Sequence, residues 1–289
     1  MRRRYLFVSV FLLLVVPADL AWAWGYTVHR RINRQAARLV PAPLGHYTAQ
    51  HANELDLYGP TADYIKEAYP EESHRHYFDL DLYPPDVLES TPHDFQAFVQ
   101  TYGDSAVNAR GVVPWAIQET MKRITRLLKR GQWESATFYM GILGHYVADI
   151  HMPLHTTANY NGQLTDNQVV HFRWETRMVD EFIPVFKPVG EVVYLQQPLE
   201  NTLEIIVRSH DLYPSLLRAD SLARRVLTPT QRERLSTYEV LSFEKPYLAR
   251  LYRETETIAE DCLGRAVVMV ASYWWTCWIN AGRPSIPAP

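Results

Sequence analysis

The sequence predicts an all-α protein with a single multi-helix domain, and three observations support this fold class. Val113–Arg130 carries its apolar residues at helical spacing and is followed by Gly131, a common residue after a helix end. Trp133–Ile150 is apolar on most sides and rich in glycine and alanine, which is typical of a helix buried in the middle of a domain. No repeat, low-complexity tract or long linker divides the 289 residues.

The other helices follow from the same apolar periodicity, taken in chain order. We predict a first amphipathic helix ended by Pro41, a short second one, a helix capped by Thr91, and three helices that lead to a long C-terminal one. Their predicted bounds are Val28–Leu39, Ala49–Leu57, Thr91–Phe98, Leu199–Ser209, Tyr213–Leu227, Thr230–Val240 and Lys245–Ile279. The last helix is expected to break near Gly264, and Val192–Leu195 is expected to be a short extended piece.

Residues 1–23 have the features of a secretory signal peptide. Three arginines follow Met1, Tyr5–Val16 is an apolar run, and residues 21–23 form an A-x-A cleavage pattern. The apolar run is shorter than the roughly 20 residues that a membrane span needs, and an uncleaved anchor is the alternative. We therefore predict an exported protein, periplasmic or extracellular, whose mature domain is residues 24–289 and which keeps no stable membrane anchor after cleavage.

Charge and cysteine content limit the partners and the redox chemistry. The whole chain has a formal net charge of −3, and loss of residues 1–23 removes three arginines and Asp19, which leaves −5. A protein this acidic is not expected to bind polynucleotides tightly by charge alone, whereas a cation-containing pocket still allows small anionic substrates. If the last predicted helix is continuous, Cys262 and Cys277 lie about 22 Å apart along it, which is too far for a disulfide. The sequence leaves the oligomeric state open.

The middle of the chain concentrates histidines and acids at helical spacing. His145 and Asp149 are four residues apart, so they share one helix face, and His171 and Glu175 repeat this step. A proline ends the first helix just before His155, which leaves that histidine free to turn toward the same pocket. Imidazole nitrogens and carboxylate oxygens are the ligands of zinc or another borderline divalent metal. One such pair alone is usually a surface ion pair, but the combination predicts a metal site.

Nine positions together resemble the zinc-dependent phospholipase C and single-strand-specific (type I) nuclease superfamily. They agree with it in residue type, order and approximate spacing: Trp24, His29, Asp63, His76, His145, Asp149, His155, His171 and Glu175. The resemblance runs from Trp24 to about Glu175, and the spacing from Trp24 to His29 is that of the nuclease branch. It implies an all-α fold with a trinuclear metal cleft and three Zn²⁺ ions per chain.

The resemblance also implies how the ligands divide among the ions. One ion would be bound by Asp63, His76, His145 and Asp149. A neighbouring ion would be bound by Trp24, His29 and Asp149, and the third ion by His155, His171 and Glu175. Trp24 would bind through its own amine and carbonyl, and the amine is free only after cleavage. A water bridging the first two ions, with its pKa lowered from about 15.7 toward 7, would supply the attacking hydroxide. Asp63 would orient it and Lys66 would neutralise transition-state charge, with a solvated surface lysine as the alternative for Lys66.

The motifs specify the substrate less closely than the metals. Three residues are candidates for binding the substrate. Tyr77 is a candidate for base stacking, Asp79 occupies the position of the nucleases' base-contacting aspartate, and Asn161 lies in a polar turn. Glu175 is the acid of the phospholipases, where the nucleases have aspartate, and Thr176 follows it where they have asparagine. The leading hypothesis is a secreted nuclease-like phosphodiesterase acting on single-stranded nucleic acid or nucleotides. A phospholipase C acting on lipid head groups and a non-catalytic zinc-binding relative are the alternatives.

Overall fold

The computed structural model describes residues 25–90 and 93–287, and its regular structure there is helical. Helices α1 to α15 have these bounds: Tyr26–Ala36, Leu44–Gln50, Ala52–Tyr58, Thr61–Ala68, Val87–Ser90, Phe95–Tyr102, Asp104–Ala109, Val113–Lys129, Trp133–Asp149, Val170–Phe172, Val179–Phe182, Pro198–His210, Tyr213–Ala223, Pro229–Leu235 and Lys245–Asn280. Short 3₁₀ turns cover Pro70–Arg75, Leu80–Leu82, Pro153–Thr156 and Arg224–Val226, and a π-helical turn covers Arg173–Met178. No strand occurs among the described residues, so the all-α prediction is confirmed.

Helix α9 lies at the centre of the domain and packs against α1, α3, α8 and α15. Its Gly144 lies so close to α1 that an added Cβ would be 2.0 Å from Asn33 Oδ1. The Asn33 side-chain amide donates to the carbonyl oxygens of Leu55, at 3.2 Å, and Gly141, at 3.0 Å, which ties α1 to α3 and α9. The predicted buried central helix with small residues is confirmed, and its Gly144 allows the close approach of α1.

The long C-terminal helix α15 is continuous, so the predicted break near Gly264 is wrong. Gly264 serves a close contact, because an added Cβ there would lie 2.2 Å from the carbonyl oxygen of Lys187. The Gly264 carbonyl also accepts a hydrogen bond from the Val189 N–H at 3.1 Å. A glycine within a helix is therefore explained here by a crossing chain segment and not by a kink.

That crossing segment, residues 185–197, contains no regular helix or strand and lies along α15; we call it the strap. The backbone N–H groups of Val193 and Leu195 donate to the side-chain hydroxyls of Ser272 and Thr276 on α15, at 3.1 and 3.0 Å. The short extended piece expected in this region thus bonds to a helix and pairs with no strand among the described residues.

Two predicted bounds in the first half of the chain need correction. The single helix expected at Ala49–Leu57 is replaced by α2 and α3, which are separated at His51. Helix α6 is capped by Asp94, whose side chain accepts a hydrogen bond from the Ala97 N–H at 3.1 Å. The expected cap, Thr91, lies outside the described residues.

The helix expected at Thr230–Val240 ends at Leu235. The carbonyl oxygens of Thr237 and Glu239 accept hydrogen bonds from the buried Arg173 side chain, at 2.6 and 2.8 Å. The backbone after Leu235 therefore binds a buried guanidinium and does not continue the helical ladder. This contact cannot be read from local periodicity.

Both cysteines are free and buried, so the prediction that they do not pair is confirmed. Within residues 25–90 and 93–287, no helix has the length and apolar character needed to cross a membrane. The predicted signal peptide and Trp24 lie outside the described residues.

Candidate metal centre

Eight of the nine candidate ligands lie together, although they come from distant parts of the chain. They are His29 on α1, Asp63 on α4, His76 after the first 3₁₀ turn, His145 and Asp149 on α9, His155 in the next 3₁₀ turn, and His171 and Glu175 in the run from α10 to the π-helical turn. Each of the eight is at most 5% exposed. Their side chains form three groups that could each hold a metal ion.

The first group is formed by Asp63, His76, His145 and Asp149. Asp149 Oδ2 lies 3.0 Å from His76 Nδ1 and 3.3 Å from His145 Nε2, and these two nitrogens are 3.1 Å apart. Asp63 Oδ1 is 3.9 Å from the same His76 nitrogen and 3.8 Å from the same His145 nitrogen. Ligand atoms 2.0–2.2 Å from one tetrahedral zinc ion are about 3.3–3.6 Å apart, so these spacings fit a single ion.

The second group uses the other oxygen of Asp149. Asp149 Oδ1 lies 3.4 Å from His29 Nε2 and 3.4 Å from His155 Nδ1. The rings of His29 and His145 stack with their centroids 3.6 Å apart, which places His29 directly beside the first group. Asp149 therefore faces ligand nitrogens with both oxygens. The predicted partner of His29 in this group, Trp24, lies outside the described residues.

The third group consists of His155, His171 and Glu175. His171 Nε2 lies 3.0 Å from both His155 Nε2 and Glu175 Oε2, and the last two atoms are 3.9 Å apart. The turn that begins at Arg173, between His171 and Glu175, is π-helical. Arg173 is fully buried, and its guanidinium forms an ion pair with Glu244 from the start of α15. This pair fixes the turn that carries the third group.

Several buried atoms of the centre have no hydrogen-bond partner among the described residues. They include both ring nitrogens of His29, Oδ2 of Asp63, Oδ1 of Asp149 and both carboxylate oxygens of Glu175. An unsatisfied buried polar group costs about 1–3 kcal/mol, and more when it is charged. Bound cations would give partners to one His29 nitrogen, to Asp149 Oδ1 and to the Glu175 carboxylate, so the residues present fit metal ions.

The protonation states of the centre also suit metal binding. Burial lowers the pKa of His29, His76 and His155 well below the usual range and lowers the pKa of His171 to about 3. These imidazoles are therefore neutral near pH 7, which is the form that binds a metal. Burial raises the pKa of Asp149 to about 6 and raises the pKa of Glu175 well above its usual range, because a buried carboxylate without a cation is unfavourable.

Neighbouring groups orient two of the ligands. His145 Nδ1 donates to the carbonyl oxygen of Gly59 at 2.8 Å, which leaves Nε2 as the nitrogen with a free lone pair. Lys66 Nζ lies 2.7 Å from Asp63 Oδ1 and one turn along α4. Asp63 is therefore held between a cation and the histidines of the first group.

The centre opens into a cleft of about 280 Å³ whose lining includes Lys66, Tyr77, Asp79 and Tyr160. The Tyr77 hydroxyl donates to the carbonyl oxygen of Ala109 at 3.2 Å, which fixes the ring at the cleft wall. Burial, with a smaller contribution from the nearby Asp81 charge, raises the pKa of the Asp79 carboxyl to about 7. The wall thus combines a cation, two aromatic rings and a carboxyl that titrates near neutral pH.

One candidate substrate-binding residue does not line this cleft. Asn161 directs its side-chain amide to the hydroxyl of Tyr238 at 3.0 Å. Its neighbour Tyr160, which the sequence analysis did not select, lines the cleft with its ring centroid 5.9 Å from that of His171. An aromatic residue beside the Asn-Gly turn was the signal available in the sequence.

A model of the S1/P1 nuclease family matches residues 24–181, which are more than half of the chain and contain all nine candidate ligands. This chain belongs to the S1/P1 nuclease family. The S1/P1 nucleases are part of the phospholipase C/P1 nuclease superfamily, so the resemblance seen in the sequence is confirmed. No curated protein matches the chain.

S1/P1 nucleases are zinc-dependent hydrolases of phosphodiester bonds and are typically secreted. The donor set described above, imidazole nitrogens with carboxylate oxygens, is the set that zinc prefers. One further histidine of this S1/P1 nuclease, His151, is buried but contributes no atom to the three groups. It donates from Nδ1 to the Val147 carbonyl at 2.7 Å, and burial lowers its pKa to about 4.

Proposed function

We propose that this S1/P1 nuclease is an exported phosphodiesterase that uses three zinc ions to hydrolyse single-stranded nucleic acid, or nucleotides with an accessible 3′ ester. The observation that carries the proposal is the position of Asp149, whose two oxygens face two sets of histidine nitrogens beside an aromatic-lined cleft. A shared carboxylate between two cations is the arrangement that hydrolytic paired-metal sites require.

The ligands would divide as the family resemblance implies. One ion would be held by Asp63, His76, His145 and Asp149. Its neighbour would be held by Trp24, His29 and Asp149, and the third ion by His155, His171 and Glu175. When bound, zinc ions lower the pKa of water toward 7 and neutralise phosphate charge. The protein contributes the fixed position and the protonation state of each ligand, above all at His145, whose tautomer is set by Gly59.

Two side chains of α4 take part in the reaction in this proposal, Asp63 on the attacking water and Lys66 on the phosphate. Asp63 Oδ2 is buried and has no partner among the described residues, so it is free to accept a proton or a hydrogen bond from an attacking water. Lys66 extends from the same helix into the cleft wall, where its ammonium group neutralises charge that builds up on phosphate oxygens.

Recognition of the base falls to Tyr77, Asp79 and Tyr160 in this proposal. Stacking of a nucleic acid base on an aromatic ring contributes about 1–3 kcal/mol and tolerates any base. The Asp79 carboxyl, with a pKa of about 7, is able both to donate and to accept a hydrogen bond at neutral pH. An unpaired base reaches such a wall, whereas a base inside a duplex does not, which favours single strands.

The decisive experiment compares four substrates with the exported holoenzyme. We expect hydrolysis of a single-stranded DNA oligonucleotide and of bis-p-nitrophenyl phosphate, slower hydrolysis of duplex DNA, and none of phosphatidylcholine. Faster hydrolysis of phosphatidylcholine than of DNA would establish the phospholipase C alternative, for which Glu175 is the one favourable residue. Bound zinc without turnover on any phosphodiester would establish the non-catalytic alternative.

A matched pair of variants tests the recognition of the base. Tyr77→Ala should raise KM for single-stranded DNA by about 5- to 150-fold, the equivalent of 1–3 kcal/mol, and leave bis-p-nitrophenyl phosphate hydrolysis nearly unchanged. Tyr69→Ala removes a tyrosine that is 61% exposed and outside the cleft lining, so it should change neither value. Equal effects of the two variants on DNA would exclude Tyr77 from substrate binding.

A further inference from the structure

Five cations lie on the C-terminal part of α8 and at its end, and we call this surface the basic face. Its members, all exposed, are Lys122, Arg123, Arg126, Lys129 and Arg130. No carboxylate among the described residues forms an ion pair with any of them. Glu119, the acid that precedes them on α8, pairs with Arg75 at 2.9 Å. The basic face therefore contrasts with the net charge of −3 of the chain.

Helix stability explains only part of this charge. Cations in the last turn and at the helix end interact favourably with the helix dipole, which accounts for Arg126, Lys129 and Arg130. Lys122 and Arg123 lie earlier, and within the part of the chain that the structure describes only Arg123 has an aromatic partner, the Tyr139 ring at 4.0 Å. Like charges three or four residues apart, such as those of Lys122 and Arg126, repel each other by a few tenths of a kcal/mol. The basic face thus costs the free protein some stability, which a polyanionic ligand would recover.

The shape of the surface suits a chain of phosphates. Arg123, Arg126 and Arg130 line a shallow depression of about 330 Å³ together with Leu127. A second groove, of about 390 Å³, runs beside the first turns of α8, and its lining combines the cations Arg75 and Lys122 with the acids Asp94 and Glu119. Two concave surfaces therefore accompany α8 along its length.

Helix α8 connects the basic face to the catalytic cleft. The Val113 N–H, at the start of α8, donates to the carbonyl oxygen of the cleft residue Tyr77 at 3.3 Å. Arg75, in the groove, is the direct neighbour of the candidate ligand His76. From Val113 to Arg126 the helix rises about 20 Å, a distance that a strand of several nucleotides spans and a dinucleotide does not.

We propose that the basic face is an exosite that binds the phosphate backbone of a polynucleotide whose scissile ester lies in the cleft. The exosite rests on the proposed nuclease function and adds a length requirement to it: a dinucleotide whose ester lies in the cleft does not reach Arg126, whereas a longer strand does. A negatively charged lipid surface fits less well. A helix that docks on a membrane needs apolar side chains beside its cations, and none of the exposed large hydrophobic residues described lies on α8.

The test compares two triple variants that remove the same charge. The exosite variant is K122Q/R126Q/R130Q, and the control is R34Q/R38Q/R253Q, which removes three exposed cations that form no ion pair among the described residues. KM is measured for a 24-nucleotide single-stranded DNA and for a dinucleotide over a range of salt concentrations. Binding of a phosphorothioate-linked 24-mer is measured by fluorescence anisotropy with the holoenzyme.

For the exosite variant we expect KM for the 24-mer to rise about tenfold at low salt, with kcat and the dinucleotide KM unchanged. The slope of log KM against log salt should fall by about 2, because each lost phosphate contact on a single strand accounts for about 0.7. The control variant should match the wild-type protein in all of these values. Equal behaviour of the two triple variants, or an equal rise in KM for dinucleotide and 24-mer, would overturn the exosite.

The outcome also separates the exosite from the function on which it rests. If the wild-type protein hydrolyses no nucleotide ester, the proposed function is wrong. The exosite is then tested only by the binding of the phosphorothioate 24-mer, measured by fluorescence anisotropy. Equal binding of the phosphorothioate 24-mer by the two triple variants overturns it in that case. Loss of binding to phosphatidylserine vesicles in the exosite variant, with 24-mer binding unchanged, would assign the basic face to membranes.

Discussion

Asp149→Asn tests the arrangement of the metal centre most directly, because this substitution keeps the side-chain shape and removes its charge. The two Asp149 oxygens lie 3.0–3.4 Å from four histidine nitrogens in a fully buried site. Removing one partner of a buried charge pair typically costs about 3–5 kcal/mol. At 1.4 kcal/mol per tenfold, zinc affinity should fall by about two to four powers of ten at the two groups that share Asp149.

The assay is zinc content by elemental analysis after dialysis against buffers of fixed free zinc, together with the phosphodiesterase rate. His151→Gln is the matched control, because His151 is equally buried two residues further on and contributes no atom to the three groups. The control should keep the wild-type zinc content and most of the activity. The reasoning is refuted if the Asp149→Asn protein binds zinc within about threefold of wild type, or if both variants lose zinc alike.

Three further predictions concern zinc and stability. Active protein should contain close to three zinc ions per chain by elemental analysis, and a chelator should lower both its Tm and its activity; one zinc or fewer in active protein contradicts this. Protein made with Met before Trp24 should bind one zinc ion fewer and lose most of its turnover, compared with exported protein that has a free Trp24 amine. Mass spectrometry identifies the two forms, and their zinc contents and phosphodiesterase rates are then compared. Equal values would exclude the amine as a ligand. Glu244→Gln should lower the unfolding free energy by about 3–5 kcal/mol in thermal melts, because it leaves the buried Arg173 without its counter-ion. The control, Glu181→Gln, removes an exposed ion pair with Lys245 and should leave Tm unchanged.

The sequence predicted the parts of the fold and site that depend on local spacing. The four-residue steps from His145 to Asp149 and from His171 to Glu175 place each pair on one helix face, and both pairs lie within ion-pair distance in the structure. The apolar periodicity predicted α8 and α9 to within one residue at each end. These features follow from helix geometry alone, so no long-range information was needed.

The features that the sequence analysis missed depend on residues far apart in the chain. The end of α14 and the π-helical turn are tied to Arg173, whose ion-pair partner Glu244 is 71 residues away. The continuity of α15 at Gly264 depends on the crossing of the strap. Tyr160 reaches the cleft because its loop folds back toward His171. Periodicity describes only neighbours on one element, so such contacts become visible only in the folded structure.

The π-helical turn at Arg173–Met178 makes the number of residues in this stretch as important as their identity. Its hydrogen bonds span five residues, so it accommodates one residue more than an α-helical turn of the same length. Deleting a single residue there would restore the tighter pitch and rotate one end of the run by about 100° relative to the other. A deletion before Glu175 would shorten its four-residue step from His171 to three residues and displace its carboxylate relative to the His171 ring, and a deletion after Glu175 would rotate α11 relative to both ligands, although every ligand would still be encoded. A one-codon deletion in this stretch should therefore be as damaging as the loss of a ligand.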